Sequence, residues 1–370
     1  MFRTVTLPGA KFGLMNAAFV VFTLVITDFG IAKVIGGQFN VLATDAYKQV
    51  VGQQNFEMGA VVGMVLLVPA VLAFVIDRIV QRRQVALLSA RAVPLEPKEN
   101  PARDAALLVY CLVVGGVLVV VLGTAIWASF ITYWPYNLSL TLKNYDFGTF
   151  DQSGWSSYAN SVVMALLASA IGTAIVFSGA YLVEKTKVVS GGRMIAHLLA
   201  MLPMAVPGLV LGLGYVFFVN ANWNPLNVLY GTLFVLVVNC TAHFYTVAHI
   251  TALTALKQID PEFESVSASL KVPFWRTFRR VTVPICMPAI LDIAIYLFVN
   301  ALTTVSAVIF LYGADTKLAS VAIVHMDEAG ATSGAAAMAS VIVATALAAK
   351  LLHILLDRVL LMRLQAWRKR

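Results

Sequence analysis

The 370-residue chain is too apolar for a water-soluble globule, because 60% of its residues are hydrophobic and only 12% are charged. Its mean hydropathy is +0.85, which indicates a polytopic membrane protein. The net charge of +8 calls for no nucleic-acid partner, since basic loops between spans set membrane orientation. The 3 cysteines lack the spacing of a metal site, so no resident metal is expected.

Eight apolar segments are long enough to cross about 30 Å of hydrocarbon as helices of about 20 residues. When residue 1 is placed in the cytoplasm, 21 of the 26 lysines and arginines fall on the cytoplasmic side, as the positive-inside rule requires. The sequence therefore predicts an all-α polytopic membrane protein with about eight transmembrane helices and both termini in the cytoplasm. The predicted spans are residues 12–35, 58–76, 106–130, 160–183, 194–219, 229–249, 287–311 and 335–356.

The chain contains an incomplete internal repeat. The segment that begins at Phe2 aligns with the segment that begins at Phe278, at an offset of 276 residues. Further on, the Asp-Arg pair at 77–78 aligns with the pair at 357–358, at an offset of 280. The second copy is preceded by four spans that have no counterpart before the first.

The repeat divides the chain into three parts. Residues 1–80 form the C-terminal remnant of a first repeat with two spans, and residues 81–105 form a basic, proline-containing cytoplasmic linker. Residues 106–370 form a complete second unit with six spans.

A polar, basic loop at residues 250–288 lies between two apolar runs on the cytoplasmic side. Asp260 and Pro261 are typical of a helix start, and Glu262 and Glu264 suit the positive end of the helix dipole. These residues predict one helix from 261 to about 270.

Pro273 can open a second helix, in which Phe274 and Phe278 lie four residues apart on one face. Taken alone, this helix could also lie in the lipid headgroups with its aromatic residues submerged. The repeat favours a docking element instead, because Phe2 and the residues after it preserve the end of the same loop.

The loop resembles the EAA loop of permease subunits of type I ATP-binding-cassette importers. Ser265, Val266 and Ser267 replace the usual Glu-Ala-Ala triplet, and Lys271 replaces the usual glycine. The resemblance implies a coupling helix that docks on an ATPase subunit. The residues assigned to this role are Asp260, Pro261, Glu262, Glu264, Leu270, Lys271, Pro273, Phe274, Trp275, Arg276, Phe278 and Pro284.

A second segment, residues 202–215, resembles the third span of the subfamily that imports ferric iron, thiamine, polyamines and phosphonates. Pro203 and Pro207 should free backbone carbonyls there, while Gly208 and Gly212 allow close helix packing. Within this subfamily the chain looks most like 2-aminoethylphosphonate permeases, with a truncated first repeat.

The resemblance implies a multi-pass protein of the bacterial inner membrane that imports a small polar anion, namely 2-aminoethylphosphonate or a related phosphonate. Ferric iron, thiamine or a polyamine are the alternative cargoes. The implied partners are an ATPase dimer, a periplasmic substrate-binding protein, a complementary permease fragment and membrane lipid. The chain lacks the GxxxxGK[ST] phosphate loop, so it is not expected to be an enzyme or to bind a cofactor, and ATP and Mg²⁺ would belong to the ATPase.

Polar residues within the spans are candidates for the translocation path, because placing them in lipid is unfavourable. Hydrogen bonds to their own helix backbone are the competing explanation for the threonines. A secondary transporter driven by an ion gradient stays open as another class, although it would need more carboxylates within the spans. His325, Asp327 and Glu328 are expected in a solvated outer turn rather than at a metal. The path candidates are Asp28, Asn239, Thr241, Asn300, Thr303 and Thr304.

Overall fold

The computed structural model describes residues 7–37, 39–82, 100–185, 190–221, 223–260 and 262–364. Most of the predicted linker, residues 83–99, lies outside the described residues, as do Phe2 and Pro261. The protein is helical, in agreement with the predicted all-α class, and one small hairpin of β1 (Ile131–Tyr133) and β2 (Asn137–Leu140) lies between two spans.

The first region of the chain contains two long helices joined by two short ones. The predicted span 12–35 is wrong as one continuous helix, because α1 ends at Thr27 and a new helix begins at Gly30. The carboxylate of Asp28 accepts a hydrogen bond from the Ile31 N–H (2.8 Å) and so caps this break. The helices are α1 (Leu7–Thr27), α2 (Gly30–Ile35), α3 (Leu42–Tyr47) and α4 (Phe56–Arg82).

Two long, unbroken helices follow. Helix α5 (Pro101–Ser129) begins inside the stretch predicted as linker and is capped by the side chain of Asn100. Helix α5 packs along the last described helix, and the most apolar stretch of α5 is entirely unburied. Helix α6 (Gly154–Lys185) is the longest of this pair, with 32 residues, and it lies at the centre of the fold.

Two of the predicted spans are bent pairs of helices. The segment predicted as 194–219 consists of α7 (Ser190–Met201) and α8 (Gly208–Val219), which meet at 111°. The segment predicted as 229–249 consists of α9 (Leu233–His243) and α10 (Tyr245–Lys257), which meet at 55°.

The cytoplasmic loop and the last spans complete the chain. The predicted span 287–311 is too long, because its helix ends at Thr303 and residues 304–312 run without regular helix. Helix α14 is bent by 76° from the short helical segment before it. The helices are α11 (Glu262–Ser269), α12 (Phe274–Thr277), α13 (Val283–Ile285), α14 (Met287–Thr303), α15 (Ala319–Glu328) and α16 (Thr332–Leu364).

Among the described residues, four helices are long and apolar enough to cross a membrane, and the count rises to seven if each bent pair is one span. Helix α1, which corresponds to the first predicted span, lies outside this count.

The interior of the fold is built around α6, which packs against α9, α10 and α14. The first region joins the same core at its outer end. Phe29 is fully buried and contacts Tyr47 (4.9 Å between ring centroids), which in turn lies 6.5 Å from Phe310 of the second region. The ammonium of Lys33 pairs with Glu328 at 2.7 Å across the same boundary.

Helix bounds in the two regions agree with the offset of 276. Helix α1 ends at Thr27 and α14 ends at Thr303, and α4 begins at Phe56 whereas α16 begins at Thr332. The repeated sequence therefore ends the first long helix and starts the last long helix at equivalent positions in both regions.

Candidate functional site

The cytoplasmic loop folds as a short helix with defined ends. A carboxylate oxygen of Asp260 accepts a hydrogen bond from the Glu262 N–H (2.9 Å) at the start of α11. At the other end, the Val272 N–H donates to the Ser267 carbonyl (3.0 Å) and the Lys271 N–H donates to the Ala268 carbonyl (3.0 Å). This pair of bonds is a Schellman motif, which ends a helix with one left-handed residue.

Lys271 is that left-handed residue, with φ of 53°. The position is where the related loops carry glycine, the residue that adopts this conformation without a steric penalty. Lys271 therefore carries the strain of a side chain at the left-handed position of this turn.

Aromatic rings join the loop to the end of α6. The ring of Phe278 lies 4.6 Å from Tyr181 and 6.0 Å from Phe177, and Phe274 lies 5.0 Å from Tyr181. Phe278 is only 9% exposed, so it belongs to the interior joint between the loop and the spans. Substituting Phe278 would therefore disturb folding and cannot by itself test docking.

Polar contacts strengthen the same joint. The ammonium of Lys185, at the last turn of α6, pairs with the carboxylate of Glu264 on α11 at 3.0 Å. The hydroxyls of Ser267 and Thr277 are hydrogen-bonded between α11 and α12. The loop is thus bound to α6 by both charge and ring contacts. The sequence did not identify Tyr181 and Lys185 as contact residues. Their spacing of four residues at the end of a span could have indicated a helix face that contacts the loop.

The face of the loop opposite its contacts with α6 is apolar and exposed to solvent. Phe263, Val266 and Leu270 are 47%, 56% and 70% exposed, and Trp275 is 65% exposed. Beside them lies a groove of about 500 Å³, which Arg276 and other loop residues line. An apolar ridge rimmed by charge is typical of a protein contact surface.

Pro284 lies at the end of the loop, within α13, and Pro273 precedes α12 with extended backbone. Proline at these positions fixes where each short helix begins. The loop therefore continues through α13 into α14 without a flexible linker.

The candidate path residues on α14 bond to their own helix. The side-chain amide of Asn300 donates to the Tyr296 carbonyl (2.8 Å), and the Thr303 hydroxyl donates to the Val299 carbonyl (2.9 Å). Thr304 is 8% exposed, and its carbonyl accepts a bond from the Ser320 hydroxyl (2.7 Å). The side chains of Asn300 and Thr303 are therefore bonded to their own helix, while the backbone of Thr304 connects the end of α14 to α15.

On α9, Asn239 supports the irregular segment that follows α14. Its side-chain amide is fully buried and donates to the Ala307 carbonyl at 2.6 Å, which satisfies a carbonyl that no helix satisfies. Thr241 is buried beside Gly172, facing away from that segment. Asp28, in the first region, caps a helix with its carboxylate.

The proline and glycine residues at 203–212 produce a break and a close contact. Pro203 lies in a 3-10 turn, and Pro207 precedes α8 where the chain bends. A Cβ atom at Gly208 would lie 2.6 Å from the Ser306 hydroxyl, and one at Gly212 would lie 2.8 Å from the Ala307 carbonyl. Helix α8 therefore packs directly on the irregular segment that Asn239 supports.

At the outer face, the prediction of a solvated turn at 325–328 is wrong, because these residues end α15. The His325 ring lies 3.4 Å from the Tyr312 hydroxyl. Burial, followed by the nearby Lys317, lowers the pKa of His325, and burial raises the pKa of Asp327. No group of three or more metal-ligating side chains occurs among the described residues.

The fold and the loop together define a class of protein: a multi-pass helical membrane protein with an exposed apolar ridge on a polar loop between its spans. Residues 190–361 match the family described as the inner membrane component of binding-protein-dependent transport systems. The AfuB protein of Escherichia coli, a ferric transport system permease-like protein, is 40% identical over 91 residues, which are 25% of this chain and 76% of that protein.

The chain belongs to this family of ABC-importer permeases and is a multi-pass protein of the inner membrane. The ferric transport system permease protein FbpB of Actinobacillus pleuropneumoniae is 28% identical over 357 residues, which cover 94% of this chain. The chain spans about half of that relative's length (51%).

A solved structure supports the fold. The crystal structure of a bacterial ABC transporter involved in the import of alginate matches with a TM-score of 0.57 and 17% identity, over 70% of this chain and 96% of that chain. At this identity the match concerns the arrangement of helices.

Proposed function

We propose that this chain is a transport subunit of an ATP-driven importer, and that its loop at 250–288 docks on a separate ATPase dimer. The observation that carries the proposal is the loop itself, which has an exposed apolar ridge on one side and a rigid joint to α6 on the other. ATP and Mg²⁺ would be held by the ATPase, and a periplasmic binding protein would deliver the cargo.

The joint explains how a movement of the ATPase would reach the membrane. Displacement of α11 would pull on Lys185 through Glu264, and displacement of α12 would push on Tyr181 through Phe274. Both contacts act on the same end of α6. Because α6 packs along α14, the two helices would move together and carry the irregular segment after Thr303 with them.

The intramembrane carboxylates favour ATP over an ion gradient as the source of energy. Asp28 is engaged in capping Ile31, and Asp292 lies 3.2 Å from the ring nitrogen of His353. A transporter driven by an ion gradient would be expected to carry more carboxylates within its spans than these two.

Ferric iron is the cargo that we propose. The sequence patterns alone favoured a phosphonate, but the relatives that align over most of this chain are named for ferric transport, which supports the alternative. The fold and the joint are compatible with either cargo.

Copurification tests the docking proposal. Leu270→Asp places a charge on the exposed ridge, and we expect it to abolish copurification of a P-loop ATPase with the tagged chain. Leu140 is 76% exposed in the outer hairpin, so Leu140→Asp is the matched control and should copurify the ATPase as the wild type does. Equal recovery with both variants would refute docking through this loop.

Uptake tests the cargo. Cells that express the chain together with its ATPase and binding protein should accumulate radiolabelled ferric iron, and excess unlabelled 2-aminoethylphosphonate should not compete. Accumulation of radiolabelled 2-aminoethylphosphonate by the same cells, with no accumulation of iron, would instead favour the anion and leave the docking result unaffected.

A further inference from the structure

Two histidines meet between α7 and α10. The rings of His197 and His249 lie 5.7 Å apart between centroids. Their helices are held together beside them, because the Thr246 hydroxyl donates to the Ala200 carbonyl at 2.8 Å. Thr246 lies three residues before His249, and Ala200 lies three residues after His197. This hydrogen bond therefore fixes the spacing of the two imidazoles.

The polarity of His249 is not explained by its surroundings. The residue is 1% exposed, and neither of its ring nitrogens has a hydrogen-bond partner in the part of the chain that the structure describes. Tyr245 packs on the ring, with 5.6 Å between centroids and 25° between planes, which covers a face of the imidazole and leaves the nitrogens at its edge. A neutral imidazole carries one N–H donor and one acceptor, and burying both without partners is unfavourable. Such a group requires an ion or a water molecule as its partner.

The distance between the two rings is compatible with one shared metal ion. Imidazole nitrogens bind Zn²⁺ at about 2.0–2.1 Å, which places the ion roughly 3.2 Å from each ring centroid. Two rings 5.7 Å apart then give a nitrogen–metal–nitrogen angle of about 125°, not far from that of a tetrahedral site. A linear arrangement would need about 6.4 Å between the centroids. The spacing therefore favours a tetrahedral ion.

We propose that His197 and His249 bind one divalent transition cation of the Zn²⁺ type, with water molecules as its remaining ligands. Imidazole suits zinc, copper, iron and nickel, whereas magnesium and calcium prefer oxygen ligands, and tetrahedral coordination is typical of Zn²⁺. The site has two protein ligands, so it is smaller than the groups of three or more that are absent from the described residues. It depends on neither the docking nor the cargo proposed above.

The site is close to the end of the spans that carries the loop. His249 lies eight residues before the end of α10 at Lys257, which is about 12 Å along the helix. Arg193, one turn before His197, donates from its Nε to the Val183 carbonyl (2.5 Å) near the end of α6. The cation would therefore enter from the side of the loop and would join α7 to α10 beside the helix that the loop contacts.

Metal binding to the full chain, purified in detergent, tests the proposal with Zn²⁺ alone as the probe. Equilibrium dialysis should recover one Zn²⁺ per wild-type chain, and the ion should raise the melting temperature by about 2–4 °C. Co²⁺ in place of Zn²⁺ should give the intense visible absorption of a tetrahedral site. His249→Phe and His197→Gln should abolish all three effects. The matched control is His353→Gln on α16, beside Asp292, and it should leave them unchanged.

Measurements in EDTA separate metal binding from packing. Without metal, His249→Phe should melt at or above the wild-type temperature, because it removes the buried imidazole and keeps a ring that can pack on Tyr245. His197 is only partly buried, so His197→Gln tests the site even if His249→Phe does not fold.

Two outcomes would overturn the proposal. Equal Zn²⁺ recovery from the wild type and from the folded His197 and His249 variants, or no recovery from any of them, would leave a water molecule as the partner of His249. Loss of Zn²⁺ in His353→Gln, with retention in His197→Gln, would place the ion beside Asp292 instead.

Discussion

In residues 7–82 and 283–364 the first long helix ends and the last long helix begins at equivalent positions, yet the surroundings of the two regions differ. In the second region α14 is packed between α6, α10 and α16, whereas α1 packs mainly on α4. Helix bounds therefore follow from local sequence, while burial follows from which neighbours are present. The comparison separates what a repeat encodes by itself from what its partners add.

The helix breaks that follow α1 and α14 also differ in whether local or distant residues stabilise them. After α1, Asp28 caps the next helix with its own carboxylate, three residues away from the N–H that it binds. After α14, the equivalent residue is Thr304, and the irregular segment is supported by Asn239 from α9 and Ser320 from α15. One break is stabilised locally and the other by distant residues.

Truncation of the equivalent phenylalanines should give the largest difference between the regions. Phe298→Ala should lower the free energy of unfolding by about 3–5 kcal/mol, because it leaves a cavity in a packed core. Phe22→Ala should change it by about 0.5 kcal/mol or less, since a half-exposed ring leaves no cavity. Denaturant unfolding in detergent micelles measures both. Similar losses would mean that α1 is covered as α14 is, against the difference in burial.

Removing the supports of the two breaks should give a smaller difference. Asn239→Leu should destabilise the fold by about 1–3 kcal/mol, because it removes the donor to a buried carbonyl. Asp28→Ala should remove one capping bond, for about 1 kcal/mol. Thermal unfolding followed by tryptophan fluorescence would rank the two variants, and the reverse order would contradict a distant support for the second break.

A substitution at Lys271, at the C-terminal end of α11, should increase stability. Lys271→Gly should stabilise the end of α11 by about 1 kcal/mol, because glycine relieves the left-handed strain. Lys271→Ala keeps a Cβ atom and should give no such gain. Hydrogen exchange of the Lys271 and Val272 amide protons would report the effect, and equal protection in both variants would exclude strain at this residue.

The contact between the two regions near His325 should show the smallest effect on stability, and this effect should depend on pH. The pKa of His325 is lowered by burial, so the unfolded chain takes up its proton first as the pH falls through about 6.5. Stability should then decline between pH 7.5 and 5.5, and over this range the melting temperature should fall by about 1–2 °C more than that of His325→Gln. An unchanged difference between the two proteins across this range would contradict the assignment to His325.

Much of this fold follows from the sequence. Apolar length located the long helices, although not the breaks within them, and Asp260 with the proline pattern located α11 to within a residue or two at each end. These features are local, because capping and hydrophobic length depend on neighbouring residues.

The breaks at Phe244 and Thr304 could not be predicted in this way. Neither position carries proline or glycine, and the irregular chain after Thr304 depends on a hydrogen bond from Asn239, 68 residues away from Ala307 in sequence. The break near Pro203 and Pro207 was indicated by the prolines, although its angle of 111° was not.

The candidate site was predicted only in part. The position of the loop in the chain was predicted. Phe278, however, lies inside the joint between the loop and α6. The residues of α6 that the loop contacts, Tyr181 and Lys185, lie about 90 residues earlier in the sequence. The path candidates were chosen for polarity, and polarity alone does not distinguish a pore-lining side chain from one that satisfies the backbone.

Site-specific photocrosslinking tests most directly the central claim that the loop is the contact with an ATPase. With p-benzoylphenylalanine at Leu270 on the exposed ridge, the account predicts a covalent adduct whose peptides include a GxxxxGK[ST] phosphate loop, and no such adduct from Leu140 on the outer hairpin. An adduct with lipid alone at position 270, in membranes that contain the ATPase, would contradict the account.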